Sequence, residues 1–103
     1  MVSAICPNCH ILLVEASSPS FANLGAAVNR AAATSGVVAI SNSYGASDAT
    51  YGSYYNHPGI AVTASSGDSG YGASYPASSH YVTAVGGTHL TTSTSSRGWA
   101  ETA

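Results

Sequence analysis

Residues 59–72 read Gly-Ile-Ala-Val-Thr-Ala-Ser-Ser-Gly-Asp-Ser-Gly-Tyr-Gly, and no other stretch constrains the fold as strongly. The first half is apolar. Ile60, Val62 and Ala64 are short or β-branched, which suits a strand buried on both faces, as in a parallel sheet. The second half switches abruptly to small residues around one carboxylate, and a loop of that composition can turn sharply and lie close to a ligand. Ligands of open parallel sheets bind beyond the carboxyl ends of the strands, so Asp68 stands where chemistry is expected.

The flanking segments supply the other elements of such a sheet. Residues 11–16 form an almost continuous apolar run, predicted as a first strand. Ser18 and Pro19 follow as a helix start, with Ser at the cap and Pro in the first turn. Phe21, Leu24, Val28 and Ala31 or Ala32 share one helical face, and Gly36 supplies the stop. Val37, Val38, Ala39 and Ile40 then open a second strand that ends in Ser41-Asn42-Ser43-Tyr44-Gly45. Strand, helix, strand is a βαβ unit, so the strands are expected to be parallel and the crossover right-handed. Residues 48–56 suggest a short helix capped by Ser47 or Asp48, weakened by Thr50, Gly52 and Ser53. His57-Pro58-Gly59 breaks it and returns the chain to the third strand. A Gly- and Tyr-rich loop leads to a fourth strand at residues 81–85, closed by Gly86-Gly87. Residues 91–96 are Thr and Ser only, predicted as a loop or the start of an insertion, and Trp99 reads as an anchor for something beyond the end.

Composition narrows the class. A chain of 103 residues with 45% hydrophobic content and a net charge of -2 forms one small domain rather than a disordered segment. Its charged residues are Glu15, Arg30, Asp48, Asp68, Arg97 and Glu101, so the surface is Ser, Thr, Asn, Gly and Tyr. Two arginines cannot make the basic stripe that a nucleic-acid partner needs. No apolar run approaches the roughly 18 residues of a membrane span, and Met1-Val2-Ser3-Ala4 lacks the regions of a signal peptide. Neither a nucleic acid nor a membrane is an expected partner.

Cys6-Pro7-Asn8-Cys9, followed by His10, reads as a redox pair, as part of a zinc site or as a small structural disulfide closing a turn. Zinc needs a second ligand pair, and the chain has no other cysteine and no closely spaced His pair, so no metal site is expected. A thioredoxin-like motif would open a helix, whereas this one precedes Ile11-Leu12-Leu13-Val14. The structural disulfide is the preferred reading, and a bridge between Cys6 and Cys9 implies an oxidising compartment. Glu15, at the end of the first predicted strand, is either a catalytic carboxylate or a structural loop residue, and the loop role is the preferred reading.

Three segments stand at predicted strand ends: Ser43-Tyr44-Gly45, Ser65-Ser66-Gly67-Asp68-Ser69-Gly70 and Tyr75-Pro76-Ala77. With Pro76-Ala77-Ser78-Ser79 and Ala84-Val85-Gly86-Gly87-Thr88 they resemble the core of the subtilisin-like serine peptidases, and more narrowly the sedolisin family of serine-carboxyl peptidases. The resemblance runs from Ser3 to Ala103 and rests on the combination of motifs. It implies a three-layer α/β fold with a parallel sheet, incomplete here, residues 1–103 being the central part of a catalytic domain truncated at both ends. It also implies a secreted, acid-active endopeptidase that hydrolyses polypeptides through an acyl-enzyme. By that resemblance Asp68 takes the oxyanion-hole place. Ser43, Tyr44 and Gly45 pair with the bound peptide and form one wall of the first specificity pocket, and Ser65, Ser66 and Gly67 form the facing wall. The family's activating Glu and Asp precede the Ile-Leu-Leu-Val run and have no counterpart here. Its nucleophile lies in Gly-Thr-Ser, whereas Gly87-Thr88 is followed by His89. Calcium is expected in the full-length family domain and not in this chain, which is expected to be inactive without the missing parts of its own domain.

Asp68 can be weighed chemically. A carboxylate only accepts hydrogen bonds, so it serves an oxyanion hole only when protonated. With an ordinary pKa of about 3.9, protonation at pH 7 costs roughly 4 kcal/mol. One oxyanion donor is worth about 3 to 4 kcal/mol, so the benefit is cancelled at neutral pH unless burial intervenes. Three rivals remain. Gly67-Asp68-Ser69-Gly70 resembles the nucleophile motif of trypsin-like peptidases, but Tyr71 follows it, no Ala-Ala-His-Cys segment exists and those enzymes are antiparallel barrels. Ser69 with His80 or His89 would be an unrelated dyad without a visible positioning group. A catalytically dead remnant would keep the Ser43-Tyr44-Gly45 edge and bind peptides without cutting them.

Overall fold

The computed structural model describes residues 1–47 and 52–103. At its centre lie three parallel strands, β1 (Ala39–Asn42), β2 (Ala61–Ser65) and β3 (Thr83–Val85), in the order β1-β2-β3. Register sets Ile40 beside Val62 and Asn42 beside Ala64. Two helices precede the sheet, α1 (Val2–Ile5) and α2 (Phe21–Ala32). A hairpin of β4 (His89–Thr92) and β5 (Trp99–Thr102) follows it. The protein is therefore a mixed α/β chain with a parallel sheet.

Helix α2 begins two residues later than predicted. Ser20, not Ser18, is the cap, its hydroxyl accepting from the Asn23 backbone N–H at 3.3 Å. Ser18 instead accepts from the Asn23 side-chain amide at 2.8 Å, and Pro19 lies ahead of the first turn. Gly36 has φ +88° and serves the turn after the helix, whose C-cap is Ala33. The apolar face falls where expected, with Val28 and Ala31 buried. Gly25 lies on the buried side too, and a Cβ there would overlap the Tyr54 side chain.

The core gathers Val28, Tyr55, Val62 and Tyr75, with Phe21, Ile40, Tyr54, Ile60 and Val82 packed against it. Tyr75 meets Phe21 and Tyr55 edge-on, with ring centroids 5.1 and 5.7 Å apart. Burying a side chain such as Val62 contributes about 1.5–3 kcal/mol. This core covers one face of the sheet only. On the other face Ala61 and Ser65 are exposed and Thr63 is half-buried, so the expectation of a strand buried on both faces is corrected.

Four further expectations change. Residues 11–16 form no helix and belong to no strand, and Ile11, Leu12 and Leu13 are exposed. A strand exists only where a neighbour takes up its N–H and C=O groups, and among the described residues none lies beside this run. The parallel pairs therefore arise from β1, β2 and β3, and the first strand of the predicted βαβ unit is not formed. Of the predicted short helix, Asp48 to Tyr51 lie outside the described residues. Residues 52–55 are a turn, with the Asn56 N–H donating to the Ser53 carbonyl at 3.0 Å. The predicted fourth strand shortens to Thr83–Val85, because Tyr81 and Val82 are held in a turn by the Val82 N–H on the Ser79 carbonyl at 3.0 Å. Thr91 and Thr92, read as loop, sit in β4 opposite Ala100 and Trp99. Threonine is β-branched and fits a pleated surface, which a reading of Thr as merely polar misses. Trp99 carries the Arg97 guanidinium 3.8 Å above its ring.

Candidate functional site

The carboxyl ends of the three strands open into loops that meet. After β1 the chain runs through Ser43, Tyr44 and Gly45 without turn or bend, and Ala46 forms an antiparallel bridge with Tyr75, each N–H donating to the other's carbonyl at 3.0 Å. After β2 the Ser66 N–H donates to the Val85 carbonyl at 2.9 Å, and the Ser66 carbonyl accepts from the Ser74 N–H at 2.9 Å. The loops from β1 and β2 thus close around residues 74 and 75. Ser74 sits between two glycines. A Cβ on Gly45 would lie 2.9 Å from the Ser74 Cβ, and one on Gly67 would lie 3.1 Å from the Ser74 hydroxyl. Gly67 also has φ +117°, a conformation that other residues rarely adopt.

A shallow depression of about 370 Å³ forms above these strand ends. Ser43, Ser65, Gly67 and Asp68 line it, with Asn42 and Gly86 among their neighbours. Four of the residues singled out from the sequence are therefore brought to one place. The Asp68 side chain is exposed and has no hydrogen-bond partner among the described residues. Tyr44, Gly45 and Ser66 stand beside the depression without lining it. Glu15 and Ser69 are exposed and take no part in it.

Tyr44 turns away from solvent into a polar chain. Its hydroxyl donates to the Asn42 Oδ1 at 3.1 Å, which leaves its oxygen to accept from the Tyr55 hydroxyl, 3.2 Å away. Asn42 is 6% exposed, and its Nδ2 donates to the Thr63 carbonyl at 3.0 Å. Burial pushes both phenols up. For Tyr44 the bond received from Tyr55 partly offsets that rise, whereas for Tyr55 the bond it donates adds to it. Sequence reading missed Asn42 and Tyr55. The one available signal was their position, Asn42 at the last residue of an apolar strand and Tyr55 in a Tyr-Tyr pair before a break.

A wider hollow of about 700 Å³ lies beside α2, lined by Asn29, Ser53, Tyr54, Asn56 and His57. No carboxylate is among its described lining residues, and His57 Nε2 is engaged with the Tyr54 carbonyl at 2.9 Å, whereas the smaller depression gathers Asp68 with Ser43 and Ser65 and is the candidate site. His80 stacks on Tyr81 with ring centroids 3.9 Å apart, and no histidine lines the smaller depression. Cys6 and Cys9 are disulfide-bonded at the end of α1, as the preferred reading of that motif expects. Among the described residues, no three His, Cys, Asp or Glu side chains gather to hold a metal ion. No described helix is long and apolar enough to cross a membrane. No protein-family model, no curated protein and no solved structure matches this chain.

Proposed function

We propose that this chain forms the substrate-facing part of a secreted serine-carboxyl endopeptidase of sedolisin type, in a subtilisin-like fold. The observation that carries the reading is the convergence of Ser43, Ser65, Gly67 and Asp68 on one depression beyond the carboxyl ends of parallel strands. In this reading an extended polypeptide pairs with residues 43–45, and its scissile carbonyl oxygen lies against the protonated Asp68 carboxyl. That group donates a hydrogen bond to the developing oxyanion. The nucleophilic serine, its Glu and Asp partners and a calcium site belong to segments outside these 103 residues.

The test uses the protein recovered from its source with an antibody against this segment. It is expected to have a mass several times 10.2 kDa and to cleave an unfolded polypeptide at about pH 4 far faster than at pH 7. Asp68→Asn supplies a donor that does not titrate, so activity is expected to extend toward neutral pH. A pH profile unchanged by the substitution removes Asp68 from the oxyanion hole. Cleavage absent at both pH values overturns the peptidase reading. The outer edge of β1 has no paired strand among the described residues, which favours a second reading as a peptide-binding module. A mass near 10.2 kDa with peptide binding and no cleavage would select it.

A further inference from the structure

The chain from Thr63 through Asn42 and Tyr44 to Tyr55 stands out because it is buried, polar and complete. No buried side-chain N or O atom among the described residues lacks a partner. Tyr55 is 1% exposed, and its ring is fixed edge-on against Tyr75. Its hydroxyl therefore has one place to go, the Tyr44 oxygen at 3.2 Å. Tyr44 donates its own O–H to the Asn42 Oδ1, and Asn42 ties the end of β1 to the Thr63 carbonyl of β2 at 3.0 Å. Both polar ends of the Asn42 amide are thus occupied, and Ser43 is bracketed by two side chains, Asn42 and Tyr44, held in one hydrogen-bonded chain.

We propose that Asn42 and Tyr55 are positioning residues that, through the Tyr44 hydroxyl, hold the backbone of residues 43–45 in the extended form an incoming peptide strand must meet. This rests on the reading that the β1 edge pairs with a peptide. Ser43 and Gly45 are exposed and their loop has no regular pairing before Ala46, so its shape depends on Tyr44 between them. Releasing the Tyr44 ring frees this segment and adds an ordering cost to every binding event.

The experiment takes the full-length protein from its source organism, expressed with Tyr55→Phe or with Tyr44→Phe. The probe is an N-acetylated, C-amidated hexapeptide of alanine and valine. Backbone amide signals of residues 43–45 report binding, and thermal unfolding reports the fold. Tyr55→Phe keeps the ring against Tyr75 and removes one hydroxyl. It is expected to weaken the probe about fivefold, the size of one net hydrogen bond, and to shift the free-state amides of residues 43–45 while those of α2 stay in place. Tyr44→Phe removes the same bond from the other side and is expected to weaken the probe at least as much. The double variant is expected to be no weaker than Tyr44→Phe alone, because the two hydroxyls act in one chain. Equal affinity of wild type and both folded variants overturns the inference and leaves the peptide-pairing reading standing. A wild type whose residues 43–45 ignore the probe overturns that reading and this inference with it.

Discussion

The Tyr44 hydroxyl shows how one buried oxygen couples a loop to a core. It lies between a donor, Tyr55, and an acceptor, Asn42, and both phenols are pushed up by burial. The unfolded chain releases these protons near pH 10, while the folded one keeps them. Their contribution to stability is therefore complete below about pH 10 and is lost as pH rises beyond it toward the folded values. Urea midpoints are expected to be flat from about pH 8 to 9 and to fall steeply above 10. Tyr55→Phe is expected to flatten that alkaline fall. An identical fall in the variant would show that other groups carry it. Asp68 and Gly67 were legible as candidate-site residues because an apolar strand run gives way there to small residues around a lone carboxylate. Asn42 and Tyr55 were not legible, since their partners are 21 and 11 residues away in the chain, and no local pattern records such distances.

Elements were legible where periodicity and burial agree. Helix α2 has an apolar stripe that meets Tyr55, Val62 and Tyr75, and its position follows from that stripe. Its cap was misplaced because Ser18 and Ser20 are both competent, and the Asn23 backbone and side chain decide between them. Gly25 tests the packing. Alanine is the better helix former by about 1 kcal/mol, yet a Cβ there overlaps Tyr54 close to its backbone, and overpacking costs about 1–3 kcal/mol. Gly25→Ala is expected to lower the melting temperature by several degrees, read by circular dichroism; a rise would mean that Tyr54 moves aside freely. The β4–β5 hairpin escaped notice because β4 is half threonine and both strands are exposed along their whole length. An exposed strand has no apolar alternation to read.

For the whole molecule, the parallel α/β character was legible and the extent of its covering was not. Residues 11–13 are as apolar as a central strand, and their exposure depends on the absence of a partner among the described residues, a fact about neighbours rather than about the run itself. Leu13 is 80% exposed, so Leu13→Ser is expected to change unfolding free energy by no more than about 0.5 kcal/mol, whereas Val62→Ala is expected to cost about 1–3 kcal/mol. Denaturant titration of both variants separates them; a large loss at Leu13 would mean that the run is packed in solution. The three strands of the parallel sheet stand side by side in the order in which they are made, so each strand emerging from the ribosome finds the preceding one already made. The sheet can grow from its first strand outward during synthesis, with no strand waiting for a partner still to come.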